Sequence, residues 1–230
     1  MTAEPYFEPP RFIAVEGPLG VGKTELAKIL SERLNARLLL DPTQNPFLED
    51  FYKDRSGAAL PAQLSFLVER FKQMRELDLS SSARLTVISD YIYEKDKLFA
   101  CVNLNDEELK LYDQFYQFFA EQIPTADLVV YLQAKTADLK ERISKRKNPF
   151  ESQISTDYLE EIIQAYEHFF FHYKASNLLV VDTSEIDFVD RNEDLQELFR
   201  RLQQPVRGTQ YFLPLGSVSP DWDGVGKLKQ

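Results

Sequence analysis

The sequence is poor in cysteine and in long apolar runs. It contains one cysteine, Cys101, so no disulfide can form within the chain. Such a chain suits the reducing cytoplasm, where we expect the protein to be. The longest apolar runs, such as residues 128–132, are far shorter than a membrane-spanning helix, which needs about 20 residues. The first eleven residues carry acids and prolines instead of the basic and apolar parts of a signal peptide. We therefore expect a soluble protein without membrane association.

Positive charge is also scarce. Lysine and arginine number 27 against 37 aspartates and glutamates, which gives a net charge of −10. Because binding of nucleic acid relies on many contacts from lysine and arginine to phosphates, we do not expect a nucleic acid polymer as a partner. A small anionic ligand can still bind where positive groups are gathered. Apolar residues make up 43% of the 230 residues and charged residues 28%, which is typical of a globular domain.

Short apolar runs alternate with segments of helical periodicity. Strands are predicted at residues 11–17, 36–41, 85–90, 127–134 and 177–182. Helices are predicted at residues 24–34, 62–77, 106–123, 136–146, 156–174 and 191–203. This alternation indicates an α/β fold with a parallel sheet that helices cover on both faces, and ligands of such sheets bind beyond the carboxyl ends of the strands. We expect one domain over residues 1–207 and a poorly ordered tail over residues 208–230, where periodicity is lost.

A glycine-rich loop between the first strand and the first helix is the strongest motif. It fits the pattern G-x-x-x-x-G-K-[ST], in which backbone N–H groups and the following helix N-terminus hold phosphates. Lys23 is expected to reach the β- and γ-phosphates, and the Thr24 hydroxyl to bind Mg²⁺. The motif alone does not separate a nucleotide-hydrolysing switch from a kinase. The predicted phosphate-binding residues are Gly17, Pro18, Leu19, Gly20, Val21, Gly22, Lys23 and Thr24.

Two aspartates follow predicted strands and should therefore lie at the same edge of the sheet as this loop. Asp41 is placed to accept a proton from an attacking hydroxyl, although an aspartate before Pro42 is also a common way to start a turn. Asp90 is placed to bind Mg²⁺, although an ordinary or capping aspartate at a strand end is the alternative interpretation. The residues alone leave both pairs of interpretations open.

Two further groups of polar residues suggest ligand contacts. Gln63 and Arg70 lie seven residues apart on one helix, where they suit recognition of a base edge or simple exposure to solvent. A basic cluster precedes the helix-breaking residues 148–150 and suggests a closing lid over about residues 142–153. Its cations suit stabilisation of a transferring phosphoryl group, or they belong to a solvated helix end. The cluster comprises Arg142, Lys145, Arg146 and Lys147.

In their order along residues 11 to 203, several stretches resemble the deoxynucleoside kinase family, and most closely its bacterial deoxyguanosine and deoxyadenosine kinases. The resemblance implies a five-stranded parallel sheet flanked by helices, a short lid and a homodimer. It also implies transfer of the γ-phosphate of ATP, with Mg²⁺, to the 5′-hydroxyl of a deoxyribonucleoside, with a purine favoured. The stretches are IAVEGPLGVGKTELAKIL, NPFLEDFY, FLVERFKQM, VISDYIYEKDKLFA, LVVYLQA, RISKRKNPFE with YLEEIIQAYE, and VVDTSEIDFV.

The resemblance also implies residue roles. Asp41 would be the general base, with Lys23, Arg142 and Arg146 as the other catalytic residues. The deoxyribonucleoside would be bound by Tyr52 and Glu151 at the sugar and by Gln63 and Arg70 at the base, with Asp90 also in this site. Asp187 and Phe188 match the loop that holds the donor base.

Three positions depart from the family pattern. Many members have a glutamate where Asp41 stands, an acid–arginine pair where this chain has Asp90 and Tyr91, and an arginine where Asn148 stands. Two other functions stay open. A thymidylate-type nucleoside monophosphate kinase shares the loop and lid layout, and a nucleotide-binding partner protein without catalysis would suit the thinned site.

Overall fold

The architecture is a parallel sheet with helices on both faces, as the alternation of strands and helices predicts. The computed structural model describes residues 10–53, 57–77, 79, 86–146 and 154–214. The strands are β1 Phe12–Glu16, β2 Arg37–Leu39, β3 Val87–Ser89, β4 Leu128–Gln133, β5 Asn177–Asp182 and β6 Thr209–Phe212. The helices are α1 Lys23–Leu34, α2 Leu48–Tyr52, α3 Ala59–Arg75, α4 Lys95–Asn103, α5 Asp106–Ala120, α6 Thr136–Arg146, α7 Thr156–Phe171 and α8 Asn192–Leu202.

The sheet has six strands rather than the expected five. Their order is β2-β3-β1-β4-β5-β6, and every neighbouring pair is parallel. The sixth strand lies within the segment 208–230 that we expected to be poorly ordered, so the expectation was wrong for residues 209–212. This strand is short, and its residues alternate between exposed and half-buried positions at the sheet edge. It therefore lacks the buried apolar run by which the other strands are recognised in the sequence.

Both faces of the sheet are covered because the buried strands alternate their side chains between two apolar clusters. In β1, Ile13 and Val15 pack with Leu26 and Leu30 of α1 on one face. Phe12 and Ala14 pack on the other face with residues of α3, α4 and α7. A third cluster joins α3 to α5 and includes Phe71, whose ring stacks on that of Phe119 with centroids 4.3 Å apart. These contacts fix α3 and α4 against the sheet.

The sheet order brings the carboxyl ends of β1, β2 and β3 side by side. The loops that leave these strands contain the glycine-rich motif, Asp41 and Asp90. Among the described residues, no helix combines the length and the apolar character that a membrane crossing requires.

Candidate active site

The glycine-rich loop runs from the end of β1 to the start of α1 in a backbone conformation that favours glycine. Gly22 has a φ of 101° and precedes the first residue of α1 without any side-chain cap. A Cβ atom at Gly22 would lie 2.7 Å from Cζ of Phe188, and one at Gly17 would lie 2.4 Å from the carbonyl oxygen of Leu132. Because this N-terminus has no side-chain cap, its N–H groups are available to an anion.

Lys23 folds back over this loop. Its Nζ donates hydrogen bonds to the carbonyl oxygens of Gly17 at 2.6 Å and Pro18 at 3.1 Å. Burial, together with the positive charge of Lys95, lowers the pKa of Lys23 to about 8. The lysine therefore lies on the phosphate-binding motif, and a second cation lies close enough to influence it.

Asp90 joins the start of α1 to the loop that follows β2. The Thr24 hydroxyl donates to Oδ2 of Asp90 at 2.5 Å, and the backbone N–H of Asp41 donates to Oδ1 of Asp90 at 2.7 Å. Asp90 is 3% exposed, and each of its oxygens accepts one of these hydrogen bonds, which fixes this corner of the sheet edge. The structure thus brings together three residues that the sequence places in separate segments.

Asp41 is the centre of a cluster of ion pairs. Its Oδ1 accepts from Nε of Arg70 at 2.7 Å, and its Oδ2 accepts from Nη2 of Arg70 at 3.1 Å and from Nζ of Lys95 at 2.6 Å. Burial alone would raise the pKa of Asp41, but the charges of Arg70 and Lys95 outweigh it and hold this pKa well below its usual range. Asp41 is therefore a carboxylate at neutral pH.

Arg70 also pairs with Asp96, a residue for which the sequence predicted no role. Nη1 of Arg70 donates to Oδ1 of Asp96 at 2.5 Å, while Oδ2 of Asp96 is buried without a hydrogen-bond partner in the described part of the chain. Burial raises the pKa of Asp96 to about 6, although the charge of Arg70 opposes the shift. Arg70 thus bridges two carboxylates and is held in one orientation.

A cavity of about 440 Å³ opens beside this cluster. Its size suits a small organic ligand, and its walls combine aromatic rings with a few polar groups. Of the predicted substrate-binding residues, Tyr52, Gln63 and Arg70 line it, and so does Asp41. Gln63 is 4% exposed. The lining residues are Leu19, Asp41, Pro42, Thr43, Leu48, Phe51, Tyr52, Ala62, Gln63, Phe66, Arg70, Lys95, Phe99, Asn103 and Tyr158.

Of the predicted catalytic lid residues, the structure describes the side chain of Arg142. Arg142 donates from Nη1 to the Thr183 hydroxyl at 3.1 Å and from Nη2 to the Thr183 carbonyl oxygen at 2.8 Å, so it binds the loop after β5. Glu151 and the side chain of Arg146 lie outside the described residues. The catalytic roles of Arg142 and Arg146 therefore stay predictions.

Asp187 and Phe188, predicted to hold the donor base, have structural contacts in the loop before α8. Oδ1 of Asp187 accepts from the backbone N–H groups of Val189 and Asp190 at 3.1 and 2.9 Å. Phe188 is 3% exposed and lies against Gly22. Phe188 thus supports the glycine-rich loop from within the core, and a role of either residue with the donor stays a prediction.

Three charged residues of this region were not predicted from the sequence: Lys95, Asp96 and Glu16. Lys95 and Asp96 are the first two residues of α4, a helix we did not predict. Glu16 ends β1 and is fully buried; it accepts hydrogen bonds from the backbone of Gly17 and Ile92 and from the Tyr166 hydroxyl. The signal for Glu16 was available, because it is an acid at the end of a buried strand, as Asp41 and Asp90 are.

Comparison with known proteins adds independent findings. A family model described as "Deoxynucleoside kinase" matches residues 13–207. The deoxyguanosine kinase of Bacillus subtilis is 31% identical over 201 residues, which cover 85% of this chain and 97% of that protein. The deoxyadenosine/deoxycytidine kinase of the same organism is 26% identical over 86% of this chain and 94% of its own length. A solved structure of a deoxyadenosine kinase from M. mycoides superposes with a TM-score of 0.71 at 27% identity, covering 83% of this chain and 97% of that one.

Proposed function

The chain belongs to the deoxynucleoside kinase family, and we propose that it transfers the γ-phosphate of ATP to the 5′-hydroxyl of a purine deoxyribonucleoside, deoxyguanosine or deoxyadenosine. The chain is thus a phosphotransferase with an alcohol acceptor. The purine preference rests on its relatives, several of which are named deoxyguanosine or deoxyadenosine kinases.

The position of Asp41 carries this proposal. Its carboxylate lines the cavity, while its backbone N–H is bound by Asp90, which in turn binds Thr24 at the end of the glycine-rich loop. A nucleoside in the cavity and a phosphate on the loop would therefore meet at Asp41. This is the arrangement that transfer between two bound substrates needs, because both reacting atoms must be held in reach of one another.

The cavity suits a nucleoside in its polar groups as well as in its size. The Gln63 amide offers a donor and an acceptor for a base edge, and Arg70 is held beside it by Asp41 and Asp96. The rings of Phe66 and Phe99 line the same cavity and provide apolar surface for a flat base. We assign the sugar to Tyr52 and Glu151.

In the proposed reaction, Asp41 takes the proton of the 5′-hydroxyl while the 5′-oxygen attacks the γ-phosphorus. The bond between this phosphorus and the β,γ-bridging oxygen breaks, and ADP leaves. A carboxylate with a low pKa is sufficient for this step, because phosphoryl transfer passes through a loose transition state and relies on positioning and charge. Lys23, Arg142 and Arg146 stabilise the negative charge.

Thr24 and Asp90 fit a magnesium ion. A hydroxyl and a carboxylate 2.5 Å apart, next to the phosphate-binding loop, are the hard oxygen ligands that Mg²⁺ prefers. Among the described residues there is no group of three or more acidic, histidine or cysteine side chains that would hold a metal alone. A magnesium ion at this corner would be bound by one carboxylate and the donor phosphates. When bound, it would neutralise charge on the β- and γ-phosphates.

We also propose that the protein acts as a cytoplasmic homodimer. Apolar side chains on α5 are exposed to an unusual degree, at 43% for Leu111, 44% for Phe115 and 66% for Phe118. A contiguous apolar face of this kind suits an interface between protein chains.

An acceptor screen with Mg-ATP tests the proposed function. Deoxyguanosine, deoxyadenosine, deoxycytidine, thymidine and thymidine monophosphate are each incubated with the protein, and products are identified by mass spectrometry. We expect a 5′-monophosphate from one or both purine nucleosides. Product from thymidine monophosphate alone would favour a thymidylate-type kinase, and ATP binding without any product would favour a non-catalytic nucleotide-binding protein.

A further inference from the structure

Lys95 is a cation in the wall of the cavity and has no role in the reaction proposed above. In the described part of the chain, the cations that line the cavity are Arg70 and Lys95. Arg70 donates from three nitrogens to Asp41 and Asp96. Lys95 makes one side-chain hydrogen bond within the described residues, from Nζ to Oδ2 of Asp41 at 2.6 Å. Because an ammonium group has three N–H donors, two remain for a bound ligand.

The environment of Lys95 keeps it charged and fixed. Its side chain is 9% exposed, and its Nζ lies 5.9 Å from the centre of the Phe99 ring. Burial would lower the pKa of Lys95, but the charges of Asp41 and Glu16 raise it, so the ammonium persists at neutral pH. A charge held in a poorly solvated site acts on its neighbours more strongly than a surface charge does.

Lys95 also stands at the junction of the two substrate regions. Its partner Asp41 lines the cavity and is bound through its backbone to Asp90, and Asp90 accepts from Thr24 of the phosphate-binding loop. The ammonium is therefore placed on the reacting side of the cavity rather than at the base-binding end, where Gln63 lies on α3.

Resting on the proposed function, we propose that Lys95 is a catalytic residue whose remaining N–H groups bind oxygen atoms of the γ-phosphoryl group during its transfer. The 5′-hydroxyl gives its proton to the Asp41 carboxylate, the 5′-oxygen bonds to phosphorus, and the electron pair of the breaking bond leaves with ADP. Lys95 keeps its own proton throughout. As Asp41 is neutralised, its attraction for Lys95 weakens, and the ammonium is already in place for the charge on the transferring group.

Replacement of Lys95 by methionine tests this role. We expect Lys95→Met to lower kcat about 100-fold or more, the effect of removing one donor that binds charge in a transition state. The Kd values for the nucleoside and for ATP should stay close to those of the unchanged protein. Lys97→Met is the matched control, because Lys97 lies on the same helix, is 41% exposed and pairs with Asp113 away from the cavity. Its kcat should not change.

A double substitution separates catalysis from mere neutralisation of Asp41. If Lys95 serves only to pair with Asp41, then Asp41→Asn already removes the group that Lys95 pairs with. The double variant, Asp41→Asn with Lys95→Met, should then have the same residual rate as Asp41→Asn alone. If Lys95 binds the phosphoryl group, the double variant should be slower than Asp41→Asn by about tenfold or more. The double variant also removes both charges of the pair, which keeps the test usable if Lys95→Met alone folds poorly.

Each outcome decides the assignment. A lower kcat for Lys95→Met with nucleoside affinity intact, together with a double variant slower than Asp41→Asn, supports it. A kcat close to that of the unchanged protein, an equal residual rate for Asp41→Asn and the double variant, or a loss of nucleoside affinity that matches the loss of rate would overturn it. Failure of the proposed function is distinguishable, because then the unchanged protein would phosphorylate no nucleoside.

Discussion

At the scale of single residues, the candidate active site is a compact set of buried ion pairs. Asp41 pairs with Arg70 and Lys95, and Arg70 pairs in turn with Asp96. Such a group contributes little net stability, because removing charges from water offsets most of their attraction. Its benefit is positional: each side chain is held by its charged neighbours, so the carboxylate and the two cations keep their places in the absence of substrate.

The pH dependence of the stability should reveal the raised pKa of Asp96. When the pKa of a carboxyl group in the folded state lies above its ordinary value of about 4, the protein loses stability as pH rises toward that folded-state pKa. For Asp96 this pKa is about 6. Asp96→Asn removes this loss. We therefore expect Asp96→Asn to be more stable, relative to the unchanged protein, at pH 7 than at pH 4.5. The difference in the free energy of unfolding should be roughly 2 kcal/mol larger at pH 7.

Urea unfolding at the two pH values measures this difference. Asp106→Asn is the control, because the Asp106 side chain is exposed. If the stability of Asp96→Asn relative to the unchanged protein were the same at both pH values, the perturbation of Asp96 would be refuted.

At the scale of elements, the site depends on how the glycine-rich loop fits its neighbours. Gly22 starts α1 with a positive φ and lies directly against the Phe188 ring from the loop before α8. The loop is thus shaped by a contact between segments that are far apart in the sequence. Phe188 itself is buried in the apolar cluster that also contains Leu26 and Leu30 of α1.

Gly22→Ala should weaken nucleotide binding through this contact. Its Cβ would lie 2.7 Å from the Phe188 ring and would also require a left-handed backbone, which together should destabilise the fold by about 1–3 kcal/mol. We expect ATP affinity, measured by calorimetry, to fall at least about tenfold.

The matched control is Gly208→Ala, because Gly208 also has a positive φ but no atom lies within 4 Å of the place that an alanine Cβ would take there. It should leave ATP affinity unchanged. A second variant, Gly22→Ala with Phe188→Leu, should recover part of the loss by making room for the methyl group. Equal ATP affinities for Gly22→Ala and Gly208→Ala would contradict this explanation.

At the scale of the whole molecule, β6 is the sixth strand of the sheet and lies after residue 207, where the domain predicted from the sequence ends. It pairs with β5 from Leu178↔Thr209 to Val181↔Phe212, and Phe212 packs against the apolar cluster that also contains α1. Without β6, the edge of β5 would be exposed. The strand therefore contributes to the stability of the core on the face that supports the glycine-rich loop.

Truncation before β6 should therefore destabilise the protein. We expect a chain that ends at Gly208 to unfold with a free energy at least about 2 kcal/mol lower than one that ends at Pro214, because it loses the partial burial of Phe212 and the pairing with β5. Urea unfolding of both chains isolates the contribution of residues 209–214. Equal stability of the two would show that β6 is not needed for the sheet.

The sequence predicts those parts of the molecule whose signal is local. The buried strands and the glycine-rich loop follow from short apolar runs and a fixed spacing of residues, and Asp41 and Asp90 follow from their places at strand ends. Lys95 and Asp96 do not, because charged residues near a helix start are usually solvated. Here both are buried, and they pair with Asp41 of the loop after β2 and with Arg70 of α3. The edge strand β6 likewise depends on its neighbour rather than on its own pattern.

Above all, we propose that Asp41 acts as the general base between the cavity and the glycine-rich loop. The most direct test is the kcat of Asp41→Asn with Mg-ATP and the preferred nucleoside, together with the nucleoside Kd from calorimetry. We predict that kcat falls by about 10²–10⁴-fold while the nucleoside still binds, since asparagine keeps the shape of the side chain but accepts no proton. A kcat close to that of the unchanged protein would contradict the claim.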